Sequence, residues 1–191
     1  MKIVIGITGA TGTIYAVKLL EALKYMEHID THLIMSTWAI KNLEIETDYS
    51  LDYVKSLATI VHDNQNLGAS ISSGSFLTDG MIILPCSMKT LSSIANGYDD
   101  NLISRAANVM IKENRKLILC PRETPLSVIH LENMLKLSRL GVKMIPPMPA
   151  FYSKPESIED IINHTVMKIL DQFGVDYDKG KRWRGILKED F

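Results

Sequence analysis

Residues 1–23 read MKIVIGITGATGTIYAVKLLEAL, and this stretch decides the fold. Lys2 to Thr8 is a short, mostly apolar run rich in β-branched residues, which predicts a strand buried on both faces. Residues 9–13 (GATGT) form a tight turn, and from Ile14 the apolar residues recur at helical spacing. A strand, a glycine turn and a helix in this order can bind phosphate, because unpaired amides and the positive end of the helix dipole face the turn.

The spacing of the glycines leaves two interpretations of this turn open. Gly6, Gly9 and Gly12 recur every third residue, which differs from the G-x-G-x-x-G pattern of dinucleotide folds. The turn alone is therefore either a phosphate site or only a tight connection between strand and helix. Residues elsewhere in the chain are needed to distinguish these two interpretations.

Strands and helices alternate along the remaining sequence. Further strands are predicted at residues 31–35, 59–61, 80–84, 116–120 and 142–145, with Pro85 and Pro121 ending two of them. Helices are predicted at residues 14–23, 38–48, 51–57, 87–95, 101–113, 128–140 and 158–173, with N-caps at Ser87 and Ser157. This order predicts one α/β domain over residues 1–191 with a mostly parallel sheet and a C-terminal tail at 174–191.

Composition excludes several classes of function. The chain has 191 residues, of which 46% are hydrophobic and 23% charged, and its formal net charge is -1. That balance gives no electrostatic reason to expect nucleic acid or a membrane surface as partner. No apolar run approaches the roughly 20 residues that span a bilayer, and the N-terminus has no signal-peptide pattern. We expect a cytoplasmic protein.

The cysteines and histidines predict neither a disulfide nor a metal site. Cys86 and Cys120 each close an apolar run, which is typical of small buried thiols at strand ends. The five histidines are scattered without ligand spacing, and His130 is predicted to be a packed or capping residue. We therefore expect no catalytic metal.

Small hydroxyl residues and one arginine follow the main predicted strands. These residues are Gly9-Ala10-Thr11, Ser36-Thr37, Ser87-Met88-Lys89-Thr90 and Arg122-Glu123. Parallel sheets bind ligands beyond the carboxyl ends of their strands, so the pattern predicts an anion site. Ser36 stands where dinucleotide enzymes place an acidic residue for the ribose, and the chain has no Gly-Lys-Ser/Thr phosphate loop. A mononucleotide such as FMN fits better.

A second set of residues indicates further chemistry. Arg105 and Lys112 lie two turns apart on one predicted helix face, and the small-residue loop 68–75 (GASISSGS) suggests a shape made for a ligand. The Arg122-Glu123 pair sits between prolines at a strand end, where a charged pair needs a partner. Glu46 is either functional or only a helix-end carboxylate, and Tyr152 is either functional or a core aromatic residue.

Motifs across nearly the whole chain then reveal a resemblance. They are GITGATG (6–12), ETD (46–48), SSGS (72–75), PCSMKTL (85–91), NLISRAANVMIKE (101–113), PRETPLSVIHLENMLKLSRLG (121–141) and PPMPAFY (146–152). The chain resembles the flavin prenyltransferases of the UbiX and phenylacrylic-acid-decarboxylase-associated type. Within that family it is most similar to the small subunit that accompanies hydroxyarylic acid decarboxylases.

The resemblance implies a fold, an assembly and a reaction. The fold would be a three-layer αβα, Rossmann-like flavoprotein fold, assembled as a homododecamer with FMN at the junction of subunits. The reaction would be metal-independent and would join a dimethylallyl group from dimethylallyl phosphate to N5 and C6 of reduced FMN. The prenylated FMN would pass to a UbiD-type aromatic acid decarboxylase.

The resemblance also implies roles for individual residues. FMN would be held by Gly9, Ala10, Thr11, Ser36, Ser87, Met88, Lys89, Thr90 and Arg122. The prenyl phosphate would be held by Lys112, Glu123, Tyr152 and Lys168, with Arg105 contributed by a neighbouring subunit. The catalytic residues would be Thr11, Glu46, Lys112 and Glu123. Of these, Glu123 would protonate the leaving phosphate, and Glu46 would assist proton loss or position the flavin N5.

Three departures from the family pattern concern rate and substrate preference. Thr11 replaces a serine, Lys168 replaces an arginine and so gives a point charge in place of a bidentate contact, and Leu67 replaces a tryptophan of some members. Whether the donor is the monophosphate or the diphosphate is left open. So is whether the tail wraps a neighbouring subunit.

Three other functions fit the sequence less well. An FMN-dependent cysteine decarboxylase would carry a PASANT-like segment, where this chain has PCSMKT. A non-catalytic FMN-binding subunit would not need Lys112, Glu123 and Tyr152 together. Direct decarboxylation of an aromatic acid would need a pocket that no motif here supplies.

Overall fold

A computed structural model describes residues 1–183 and 185 of the chain. It divides into two compact units, Met1–Pro147 and a second that begins at Met148. The organisation of the chain as one functional domain stays a prediction, and the tail predicted at 174–191 lies partly outside the described residues. None of the described helices is long and apolar enough to cross a membrane.

The first unit is built on a six-stranded parallel sheet of order β3-β2-β1-β4-β5-β6. The strands are β1 Lys2–Ile7, β2 Asp30–Met35, β3 Ile60–Asp63, β4 Gly80–Cys86, β5 Lys116–Pro121 and β6 Lys143–Met144. The helices are α1 Thr13–Lys24, α2 Thr37–Glu46, α3 Leu51–Ser56, α4 Met88–Ala95, α5 Leu102–Lys112 and α6 Val128–Arg139, and the second unit contributes α7 Ile158–Asp171. The predicted α/β, Rossmann-like fold is confirmed.

The central strands of the sheet, β1 and β4, are almost wholly buried, which explains their apolar sequences. All seven residues of β4 are buried, as are five of the six in β1, because helices cover both faces of a parallel sheet. The chain order reverses direction at β1, which pairs with β2 on one side and β4 on the other. Ligands of such sheets bind at this switch point, beyond the strand ends.

Pro85 does not end β4, contrary to the prediction. The strand continues to Cys86 with a shift of register between Ile83 and Cys86, because proline has no N–H to donate to the ladder. The Thr8 hydroxyl holds this part of the strand, since it donates to the Pro85 carbonyl over 2.8 Å and accepts from the Ser87 amide over 2.8 Å. Similarly, β5 includes Pro121, whereas β6 is shorter than predicted.

Side chains cap the N-termini of α4 and α7, as the sequence predicts. The Ser87 hydroxyl accepts from the Thr90 amide at the start of α4, and Ser157 with Asp160 forms a reciprocal capping box on α7. His130 forms a second capping box with Ser127 on α6, so its predicted capping role is confirmed.

The two cysteines are free, buried thiols, as predicted. Burial raises the pKa of the Cys86 thiol to about 12. Burial raises the pKa of Cys120 well above its ordinary value, and Cys86 adds to that effect. Both side chains therefore act as small apolar groups of the core.

A histidine pair joins β2 to the edge strand β3. The His32 Nδ1 and His62 Nε2 atoms lie 2.9 Å apart, and Phe76 packs edge-on against His32. Burial lowers the pKa of His32, and the charges of His62 and Lys2 lower it further against a smaller effect of Asp30. Burial also lowers the pKa of His62. Both imidazoles are therefore held in the neutral form.

We expect the free energy of unfolding to fall as the pH drops below about 6.5, the ordinary histidine pKa. Below that pH the unfolded chain binds protons that the native pair resists, so acid favours unfolding. Denaturant unfolding between pH 5 and 8 measures the slope, which should be smaller in His62→Gln. His28→Gln, a change at an exposed histidine, serves as the control. An unchanged slope in His62→Gln would refute this account.

Candidate active site

A cleft of ≈ 380 Å³ lies at the carboxyl edge of the sheet in the first unit. Its walls come from the turn after β1, the starts of α2 and α4, the loop after β3 and the segment that leads into α5. The lining residues are Thr8, Gly9, Ser36, Thr37, Trp38, Asn64, Gln65, Ser87, Lys89, Thr90, Ser93, Asp100, Asn101 and Ile103. The cleft therefore sits at the switch point of the sheet.

Two helix N-termini give this cleft its electrostatic character. The hydroxyl of Ser36 accepts from the Ala39 amide in α2, and that of Ser87 accepts from the Thr90 amide in α4. The earlier amides of each first turn have no acceptor within their own helix, and neither first turn contains an acidic residue. Amides and dipoles of both helices thus favour an anion such as a phosphate.

Close packing fixes the turn after β1. A Cβ on Gly9 would lie 2.6 Å from the Cβ of Trp38, so only glycine fits between the turn and α2. The Asn42 side-chain amide donates to the Ala10 carbonyl over 3.1 Å, which ties the turn to the same helix. The Trp38 ring remains largely exposed beside the cleft, with the Lys41 ammonium 4.7 Å from its centroid.

The start of α1 differs from the expectation. The sequence suggested that its free amides would bind phosphate, but the Glu46 carboxylate accepts from the Gly12 amide over 2.9 Å and from the Thr13 amide over 3.0 Å. Partial burial raises the pKa of Glu46, and hydrogen bonds from Thr11, Gly12 and Thr13 outweigh that effect, so the pKa lies below its ordinary value. Glu46 is an ionised cap of α1.

Glu46→Ala should lower the free energy of unfolding by about 1 kcal/mol, because α1 loses an acceptor at its N-terminus. Glu46→Gln should lose less, since an amide oxygen still accepts hydrogen bonds. Chemical denaturation of the variants measures the difference. Glu44→Ala, at an exposed position of the same helix, should stay within about 0.5 kcal/mol of the wild type. Equal losses for Glu44→Ala and Glu46→Ala would contradict the capping role.

The small-residue loop encloses the cationic face of α5. Arg105 donates from Nε to the Ser72 carbonyl over 3.0 Å, and its Nη1 lies 3.3 Å from the Asp99 carboxylate. Lys112 forms an ion pair with Glu113, and a Cβ on Gly74 would lie 2.7 Å from the Lys112 Nζ. Arg105 and Lys112 therefore share one face of α5, as predicted, and Gly74 leaves room for the Lys112 side chain.

Arg122 and Glu123 follow β5 and are exposed. The Arg122 amide donates to the Cys86 carbonyl over 3.2 Å, which fixes the backbone beside β4. Glu123 accepts from the amide of its neighbour Thr124 over 3.0 Å. The side chains of both residues are thus available to a ligand or a partner.

The second unit contains its own polar cluster. The Tyr152 hydroxyl and the His164 Nε2 atom lie 2.8 Å apart, and Lys168 follows one turn later on α7. Burial lowers the pKa of His164, the charge of Lys168 lowers it further, and Asp171 opposes both. Tyr152 is 52% exposed, so it is not a core residue.

The structure brings only part of the predicted set together. Gly9, Ser36, Ser87, Lys89 and Thr90 line the cleft, whereas Ala10, Thr11, Met88 and Arg122 do not. Sequence reasoning missed six residues of the cleft, namely Trp38, Asn64, Gln65, Asp100, Asn101 and Ile103. It also missed His164 beside Tyr152. Asn64 and Gln65 follow the end of β3, so extending the strand-end rule to the short edge strand would have found them.

The fold and the cleft define a class: an α/β protein with a cleft at the switch point of a parallel sheet, where two helix N-termini favour an anion. A family model described as Flavoprotein matches residues 1–170. The flavin prenyltransferase LpdB of Lactiplantibacillus plantarum is 59% identical over 96% of this chain and 98% of that protein.

Two solved structures are similar over nearly their full length. A dodecameric FMN-dependent UbiX-like decarboxylase from Escherichia coli O157:H7 superposes with a TM-score of 0.96 at 56% identity, covering 97% of this chain and 100% of that chain. AnUbiX (PadA1), solved with FMN and dimethylallyl pyrophosphate, superposes with a TM-score of 0.95 at 50% identity, covering 97% of this chain and 98% of that chain. The chain belongs to the flavoprotein family and, within it, to the flavin prenyltransferases of the UbiX type.

Proposed function

We propose that this protein joins the dimethylallyl group of dimethylallyl phosphate to N5 and C6 of reduced FMN. The prenylated FMN then serves a UbiD-type aromatic acid decarboxylase. The observation that carries the proposal is the likeness to AnUbiX, a relative of 50% identity that was solved with FMN and dimethylallyl pyrophosphate together. The 59% identity to a flavin prenyltransferase supports the same reaction.

The cleft in the first unit suits the phosphate of FMN. The N-termini of α2 and α4 would supply amides, and the hydroxyls of Ser36, Ser87 and Thr90 would supply further hydrogen bonds. Gly9 has no side chain to obstruct the ligand. Ala10, Thr11, Met88, Lys89 and Arg122 would complete the FMN site. Reduced FMN supplies the nucleophilic ring atoms for the transfer.

The prenyl phosphate needs cations and an acid. The C–O bond of the allylic phosphate breaks with its electron pair on the oxygen, so the phosphate gains charge as the new bonds to N5 and C6 form. Lys112, Lys168 and Arg105 of a neighbouring subunit would stabilise this charge, and the Tyr152 hydroxyl would donate to it. Glu123 would give its proton to the leaving phosphate.

Glu46 would act at the flavin end of the site. Its carboxylate is fixed by the Gly12 and Thr13 amides and by the Thr11 hydroxyl, and it is held in its ionised form. A fixed, ionised carboxylate can accept the proton that the ring must lose when C6 is alkylated. Lysine and arginine side chains would meet the charge of the leaving group, so the proposed reaction needs no metal.

An anaerobic assay tests the function. Purified protein is mixed with reduced FMN and dimethylallyl phosphate, and the flavin is followed by mass and absorbance. We expect a flavin heavier by one prenyl group and none when the FMN stays oxidised. The diphosphate in a parallel sample identifies the preferred donor. Bound but unmodified FMN with both donors would refute the proposal in favour of a non-catalytic FMN-binding subunit.

The relative from Escherichia coli O157:H7 is described as a decarboxylase, which supports a second candidate, direct decarboxylation of an aromatic acid. Incubating the protein and FMN with a hydroxyarylic acid separates the two functions. Prenyl transfer without release of CO₂ fits the proposal. Release of CO₂ by this protein alone would favour the alternative.

A further inference from the structure

His164 is a buried polar residue of the second unit, and the proposed reaction gives it no role. It lies on α7, is only 9% exposed, and its Nε2 atom is 2.8 Å from the Tyr152 hydroxyl oxygen. The two rings meet edge to face with their centroids 5.7 Å apart. Trp183 packs edge-on against the same phenol, at 5.8 Å between centroids. The imidazole thus holds a phenol that remains about half exposed to a ligand.

The imidazole also lies within electrostatic reach of Lys168. His164 and Lys168 are four residues apart on α7, so their side chains project from the same side of the helix. The lysine charge lowers the pKa of His164, as burial does, whereas the Asp171 carboxylate raises it. That carboxylate is bound by both Nη atoms of Arg182, over 3.0 and 2.7 Å. His164 therefore contacts one candidate ligand of the prenyl phosphate and interacts with the charge of another.

The direction of the hydrogen bond between the two rings decides what Tyr152 can do. A phenol has one proton. If Tyr152 donated that proton to Nε2, only its lone pairs would remain for a ligand, and these repel phosphate oxygens. If Nε2–H donates to the phenolic oxygen instead, the phenol proton is free to donate to a phosphate. Imidazole provides this donor as its Nε2–H tautomer and as the imidazolium.

We propose that His164 is a positioning residue for the prenyl phosphate: it donates from Nε2 to the Tyr152 oxygen and so directs the phenol proton towards the phosphate. This inference rests on the proposed function, because it takes dimethylallyl phosphate as the ligand of Tyr152. The negative charge of the bound phosphate acts on the imidazole in the same direction as Asp171 and against Lys168, so binding favours the protonated ring.

Calorimetric titration of dimethylallyl phosphate into protein loaded with oxidised FMN tests the proposal without turnover. His164→Leu should raise the dissociation constant about 10-fold, because the phenol loses its donor. His164→Gln should raise it no more than about threefold, since its side-chain amide can still donate to Tyr152. His164→Leu/Tyr152→Phe should be no weaker than Tyr152→Phe, because the two residues act through one hydrogen bond. His28→Leu, at an exposed histidine, is the control and should bind as wild type does.

The pH dependence separates this hydrogen bond from a packing role and keeps the test valid if His164→Leu does not fold. Protonation commits Nε2 to donating, whereas the amide of His164→Gln does not titrate. From pH 7.5 to 5.5 the wild type should therefore gain about threefold in affinity relative to His164→Gln. The titration of the phosphate itself cancels in this ratio. A ratio that stays constant with pH would overturn the proposal.

The outcomes for this inference and for the proposed function are distinct. Prenyl transfer by the wild type, with the same dissociation constant in His164→Leu, would overturn the positioning role alone. Binding that weakens in His164→Leu, without prenyl transfer by the wild type, would support the positioning role and refute the reaction. No binding of dimethylallyl phosphate to the wild type would overturn both.

Discussion

Glu123→Gln should lower the rate of prenyl transfer by about 10²–10⁴-fold, because the leaving phosphate loses its acid. Glutamine has nearly the same shape and keeps an oxygen for the Thr124 amide, so the local structure should survive. Binding of FMN should stay unchanged, since Glu123 does not line the cleft. Single-turnover kinetics under anaerobic conditions, with flavin binding measured by fluorescence, checks both parts.

The control for this prediction is Glu27→Gln, which removes an exposed carboxylate. It should leave both rate and binding at the wild-type level. A rate within threefold of wild type for Glu123→Gln would mean that another group, or water, protonates the phosphate. A donor with a better leaving group should narrow the gap between wild type and variant, which a purely structural defect would not do.

Gly9→Ala should destabilise the first unit by about 1–3 kcal/mol and abolish tight FMN binding. The added methyl group would lie 2.6 Å from the Trp38 Cβ, so either the turn after β1 or the start of α2 must move. Both form walls of the cleft, and the α2 amides would lose their position. Denaturant unfolding gives the stability loss, and fluorescence titration gives the FMN affinity.

A second substitution shows whether the clash is the cause. Gly9→Ala/Trp38→Gly removes the Cβ that the added methyl group would meet. This double variant should therefore be nearly as stable as Trp38→Gly alone. Gly9→Ala/Trp38→Ala keeps that Cβ and should not recover the lost stability. If adding Gly9→Ala cost the same free energy of unfolding in both Trp38 backgrounds, the clash with the Trp38 Cβ would not be the cause of the defect.

The sequence was a good guide to the fold because its local signals agree with each other. Short β-branched runs alternate with capped helices, and those signals need no knowledge of distant contacts. The prediction failed at Pro85, where the strand continues to Cys86 with a shift of register and the Pro85 carbonyl accepts a hydrogen bond from Thr8, 77 residues away. Such a partner follows from the sheet order, which periodicity alone does not reveal.

The site was predictable where it follows the strand ends, and less so elsewhere. Ser36 and Ser87 were found because each stands directly after a strand. The capping of α1 by Glu46 was missed, since two segments more than thirty residues apart must meet for it to form. The roles of Lys112 and Glu123 depended on family resemblance, because a charged residue on a helix or loop looks the same whether it binds substrate or only water.

The carboxylate of Glu46 has a consequence for which nucleotides the chain accepts. Nucleotide enzymes of this topology place the pyrophosphate of a dinucleotide at the first helix. Here a pyrophosphate would have to displace a negative charge that already occupies the Gly12 and Thr13 amides. We therefore expect cofactors that carry an adenosine diphosphate half to bind weakly here, while the first amides of α2 and α4 remain open to one terminal phosphate. The same glutamate that caps the first helix would thus select for mononucleotides.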